Sequence, residues 1–96
     1  MTHFNFTRHG ALFRTEMPGP GPYYTCLVDM REVAAFPGRY ALYFSSDHDP
    51  GEGGIWLYIS DGIPTDPACW RSYDTAVAAG DFDHVAGRPE ANPIFR

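Results

Sequence analysis

Ninety-six residues, a formal net charge of −5 and a composition 44% hydrophobic and 16% aromatic describe one small acidic domain, too apolar to be a disordered chain. There is no Lys, and the seven Arg are scattered, so the chain lacks the clustered basic footprint that nucleic acid or an anionic membrane surface requires. No stretch approaches the roughly 20 apolar residues of a membrane span.

The first ten residues, MTHFNFTRHG, hold no basic region followed by an apolar run, so no signal peptide is read. With Met1 as the true start, the expected compartment is the cytoplasm. Residues 4–14 read as an edge strand ending at Gly10 and a short extended piece. Residues 16–22, EMPGPGP, alternate Pro with Gly and make an extended connector that is neither helix nor central strand. The expected organisation is therefore an N-terminal strand and Pro/Gly-rich connector over 1–22, then the main unit over 23–96.

Residues 23–28 are apolar and lead to Asp29. Residues 31–36 are expected to be the first strand of the core sheet, followed by a tight turn at Pro37-Gly38. The second strand spans 39–45, and a polar turn, 47–54, joins it to the third strand at 55–60. A further turn at 61–67 precedes a fourth strand at 68–73, with Trp70 facing in. Residues 75–79 form a helical turn stopped by Gly80, within an irregular loop insert over 74–92. Residues 93–96 begin another strand.

Side chains on a strand alternate between faces. Tyr40, Leu42 and Phe44 alternate with Ala41, Tyr43 and Ser45, and Ile55, Leu57 and Ile59 alternate with Trp56, Tyr58 and Ser60. Both faces are apolar, so both must be covered. The predicted fold is all-β: a four-stranded antiparallel meander, each strand pairing with the next, like a single β-propeller blade packed between two neighbours. His9–Arg14 (HGALFR) echoes Ala91–Arg96 (ANPIFR), as the same position in two successive repeat units would. Cys26 and Cys69 belong to no Cys-x-x-Cys pair. They lie three strand spacings apart in this order, about 14 Å, so two free thiols are expected.

Three segments together resemble one blade of the five-bladed propeller glycoside hydrolases, the arabinanase, levansucrase and invertase-like enzymes grouped with family 43. They are Asp29-Met30-Arg31-Glu32-Val33, Pro37-Gly38-Arg39-Tyr40-Ala41-Leu42-Tyr43-Phe44-Ser45 and Ile55-Trp56-Leu57-Tyr58-Ile59-Ser60-Asp61-Gly62. Asn92-Pro93-Ile94-Phe95 fits the closing element of such a blade. The chain departs from the pattern where Met30 stands in place of a Pro, in one extra residue between Asp29 and Gly38, and in the insert before Asn92.

The resemblance implies hydrolysis of glycosidic bonds by two carboxylates flanking the sugar. In such enzymes these come from different blades, so this chain supplies one. Asp29 is the candidate, as base or nucleophile, because it is read as preceding the innermost strand. Glu32, three residues on, is expected on the opposite face. His48 at the pocket mouth, and Trp56 and Trp70 as stacking surfaces with Tyr58 and Tyr73, are the candidate substrate contacts. Asp47, His48, Asp49 and Glu52 crowd one turn without the spacing of a calcium loop. No metal site and no cofactor are expected.

The expected partners are carbohydrate and the remaining propeller blades, or self-association. Three functions stay open at this point: part of a propeller glycosidase, inactive alone; a small all-β carbohydrate-binding module; and an interaction domain whose aromatic faces a partner covers.

Overall fold

A computed structural model of the chain describes residues 23–45 and 54–95. Four strands, β1 (Tyr23–Asp29), β2 (Tyr40–Ser45), β3 (Ile55–Ser60) and β4 (Trp70–Ser72), form one antiparallel sheet in the order β1-β2-β3-β4. One short helix, α1 (Tyr73–Ala78), follows β4 directly. The all-β meander read from the alternation is the fold, with each strand beside its sequence neighbour. The strand and connector expected over 1–22, the turn at 47–53 and the first half of the sequence echo lie outside the described residues.

The first strand is not where the sequence placed it. Residues 31–36 are turns: Val33 N–H donates to Met30 O and Phe36 N–H to Val33 O, each at 3.0 Å. The strand is the preceding apolar run. Asp29 ends it, because its carboxylate accepts the backbone N–H of Arg31 at 3.0 Å. An aspartate that bonds the backbone two residues on makes a turn in place of a ladder. Of the residues that follow, Glu32, Ala34 and Ala35 have little strand preference to oppose it. Asp29 therefore closes β1 and does not precede the first strand of the sheet.

The fourth strand is shorter than 68–73 for a similar reason. Asp66 accepts the N–H of Ala68 and caps a 3-10 turn over Pro67–Cys69. Ser72 accepts the N–H of Thr75 at 3.2 Å and caps α1 at its start. Only three residues remain between the end of the 3-10 turn and the start of α1. The expected helical turn forms two residues earlier than read and stops at Gly80, whose φ of +85° suits glycine.

The two faces of the sheet are covered differently. On one, Ala41, Leu57 and Ile59 pack with Tyr73 and Ala76 of α1 and with Phe82, joined by Val28, Met30, Phe36, Tyr43, Val77 and Ile94. Tyr73 and Phe82 lie with ring centres 4.9 Å apart, and the Tyr73 hydroxyl donates to Pro89 O at 2.6 Å. On the other, Phe44 and Tyr58 are buried with Leu42, Trp56 and Trp70 against them, and the rings of Phe44 and Trp56 are stacked at 6.4 Å. Pro37-Gly38 forms the expected turn. It lies so close to the core that a Cβ on Gly38 would meet Ile59 Cγ2 at 2.5 Å.

Arg71 ties together the turn before β2, the turn after β3 and the segment after α1. Its guanidinium donates to Asp61 Oδ2 at 2.5 Å, to Asp81 Oδ2 at 3.2 Å and to Pro37 O at 2.6 Å. At the C-terminal end, Ile55 N–H donates to Phe95 O at 2.8 Å and Ile94 N–H to Ile55 O at 2.7 Å. The residues expected to open a new strand thus fold back onto β3. Cys26 and Cys69 are both free, as the strand order required.

Candidate functional site

Asp29 stands at the end of β1, an edge strand of the described sheet whose Tyr24 and Leu27 are strongly exposed. Its carboxylate is gripped by Arg31. Nε donates to Oδ1 at 2.9 Å and to Oδ2 at 3.0 Å, and Nη2 donates to Oδ2 at 2.6 Å. With the backbone N–H of Arg31 on Oδ1, every donor on the carboxylate among the described residues comes from Arg31. The guanidinium in turn lies over the ring of Tyr40, 5.7 Å from its centre. Tyr40 is the residue directly opposite Asp29 in the β1–β2 register. A strand pair thus positions both the carboxylate and the ring beneath its cation.

These contacts set the electrostatics. The Arg31 side-chain hydrogen bonds, then its backbone N–H, hold the Asp29 carboxyl down to about 2, and the Arg31 guanidinium is raised in return by the same pair. Both side chains remain open to solvent, 49% for Asp29 and 59% for Arg31. Glu32 lines the same shallow cleft as Asp29 and Arg31. Its expected place on the opposite face assumed a strand, and the turn after Asp29 brings it round to the same side.

The other candidates do not converge on this point. Asp29, Tyr40, Ser60 and Trp70 form one cross-strand row through the successive registers. That row sets Trp70 about three strand spacings, roughly 14 Å, from Asp29. The Trp70 indole is half-buried and donates to Pro64 O at 2.8 Å. Trp56 pairs with Phe44 at the far end of β3, four residues along from Ser60, where it stacks within the second cluster. Tyr58 is 5% exposed beside it. Tyr73 leaves this group, for its ring is buried on the other face under α1. His48 lies outside the described residues.

Among the described residues no cluster of three or more His, Cys, Asp or Glu is placed to hold a metal ion, and no helix is long and apolar enough to cross a membrane. A second depression, between Tyr73, Phe82, Val85, Pro89, Ile94 and Phe95, is almost wholly apolar. Sequence reasoning missed Arg31 and Tyr40. The signal for Arg31 was its i+2 spacing from an aspartate at a strand end, which favours a turn with a returning side chain. Tyr40 became visible only with the strand register. Compared with protein-family models, with curated proteins and with solved structures, the chain matches none.

Proposed function

We propose that this chain forms one blade of a β-propeller acting on glycosidic bonds, with Asp29 as the carboxylate this blade contributes and no turnover by the blade alone. The observation that carries the reading is the position of Asp29: an ionised, solvent-open carboxylate at the end of an edge strand of the described, sequentially ordered four-stranded sheet. Innermost strands of propeller blades line a central channel, and β1, at an edge of the described sheet, takes that place in this reading. A carboxylate held this far down is no general acid at neutral pH and a feeble base. It suits the nucleophile, or the fixed charge facing an oxocarbenium-like transition state. The acid must come from another blade, and the aromatic face with Leu42, Phe44, Trp56, Tyr58 and Trp70 is the face offered to a neighbour. The two free cysteines agree with work in the reducing cytoplasm.

A second reading, a small carbohydrate-binding or interaction module, is favoured by α1. A helix seated on one sheet face leaves only the other for a neighbouring sheet. Backbone amide shifts of the chain titrated with arabinan, xylan and fructan oligosaccharides separate the two. The blade reading expects perturbations centred on Asp29, Arg31, Glu32 and Tyr40. Perturbations confined to the Trp56 and Trp70 face favour the module and count against Asp29, and none with any of the glycans counts against both.

A further inference from the structure

Resting on the glycosidic reading of Asp29, we infer that Arg31 is a positioning residue for that carboxylate, with Tyr40 as the platform that holds the guanidinium in place. The argument is geometric. A carboxylate at a strand end turns freely about its side-chain bonds, and a freely turning carboxylate is poorly aimed at any reacting carbon. Here both oxygens are engaged at once, by Nε and Nη2 of Arg31 and by its backbone N–H, at 2.6 to 3.0 Å. The carboxylate has about four acceptor positions, so rotation in either direction breaks bonds that water must replace.

The guanidinium is itself restrained. Its carbon lies over the Tyr40 ring, 5.7 Å from the centre, and Tyr40 is fixed across the ladder from Asp29. The chain Tyr40–Arg31–Asp29 therefore closes on one rung of the sheet. Lys cannot reproduce it, because an ammonium is a point charge without a planar fork or a face to stack. Among the described residues, the charged groups around Asp29 are Arg31 from the turn and Glu32 beside it in the cleft, with the titratable Tyr40 from β2. Only Arg31 lowers its proton affinity, which agrees with the direction found.

The test is a carboxyl-carbon NMR titration of Asp29 in the full chain, native and as Arg31→Met, Arg31→Lys and Tyr40→Leu. Native Asp29 is expected to titrate near 2. In Arg31→Met its midpoint should rise to the ordinary aspartate value, about 3.9. Arg31→Lys and Tyr40→Leu should give midpoints between these two. A native midpoint retained in Arg31→Met, with the β1–β2 amide resonances in place, would overturn the inference. If Arg31→Met fails to fold, Arg31→Lys decides alone, and a native midpoint there overturns it equally. An unaltered midpoint in Tyr40→Leu removes the platform. These outcomes need no turnover, so the clamp survives or fails independently of the glycosidic reading.

Discussion

The side-chain amide of Asn92 bonds both backbone groups of Leu57: the Leu57 N–H donates to Oδ1 at 3.0 Å, and Nδ2 donates to Leu57 O at 3.1 Å. β4 pairs only with Tyr58 to Ser60 and, among the described residues, leaves the first half of β3 without a strand on that side. Asn92 stands in for the missing strand, and Ile94 and Phe95 continue the ladder at Ile55. Asn92 is held in turn by its own N–H on Asp74 Oδ1 at 2.6 Å. Its part in the closing element of the sequence is thus to finish the sheet.

Removing that amide should leave two polar groups of a buried residue without partners. Asn92→Ala is expected to lower stability by about 1–3 kcal/mol in urea unfolding. Asn92→Asp should be at least as damaging at neutral pH, since it keeps the acceptor, loses the donor and sets a charge near Asp74. A change in Asn92→Ala of under about 0.5 kcal/mol, the range of ordinary surface substitutions, would mean that water replaces the clamp.

The core beneath α1 rests on Ile59, which is fully buried. Ile59→Ala should cost about 2–5 kcal/mol and Ile59→Val about 0.5–1.5 kcal/mol. Gly38→Ala should also destabilise, because the new methyl meets Ile59 Cγ2 and lies 3.2 Å from Ser60 O. In Ile59→Ala, which removes Cγ2, the loss from Gly38→Ala should shrink, a coupling that a double-mutant cycle reads directly. Additive losses would show that the turn moves away without strain.

Arg71 links Asp61, Asp81 and Pro37 O from a side chain only 18% exposed. Arg71→Met should destabilise by about 1–3 kcal/mol through the orphaned Pro37 carbonyl and the half-buried Asp81 carboxylate. Arg71→Lys should recover only part of this, having no fork to reach all three. Full recovery in thermal melts would reduce the hub to simple charge balance.

Asp29 sets a pH dependence of known sign. Its folded value lies below the ordinary one, so its stabilising contribution is complete above the unfolded value, about 3.9, and is lost as pH falls through about 2. The stability difference between the native chain and Asp29→Asn should therefore be constant above about pH 5 and close between about pH 4 and 2. A difference that persists unchanged at pH 2 would contradict the ionised pair.

The sheet was legible where alternation was clean and both neighbours were strands. Residues 55–60 form β3 as read, and 39–45 differ from β2 by Arg39 alone. Residues 31–36 misled because apolar Val33 and Phe36 suggest a strand, while a side chain two residues earlier decides the backbone. Asp66 and Ser72 shortened the fourth strand by the same kind of local bond. At the candidate site Asp29 was legible as an acidic residue beside an apolar run. Its grip by Arg31 and Tyr40 was not, because it depends on which residue of β2 stands opposite. Trp56 and Trp70 looked like a common surface because both belong to aromatic strands, but register places them at different corners of one face.

The central claim is tested most directly by glycosidase turnover. The polypeptide encoded by the whole gene, and residues 1–96 alone, would be assayed on aryl arabinosides, xylosides, galactosides and fructans, each with Asp29 intact and as Asp29→Asn. Turnover by the whole gene product that falls by about a thousandfold or more in Asp29→Asn, with none from residues 1–96, is the predicted result. Turnover by residues 1–96 alone that Asp29→Asn abolishes would contradict the single-blade account. So would activity of the whole product that Asp29→Asn leaves intact, or a gene that encodes no further strand-rich units.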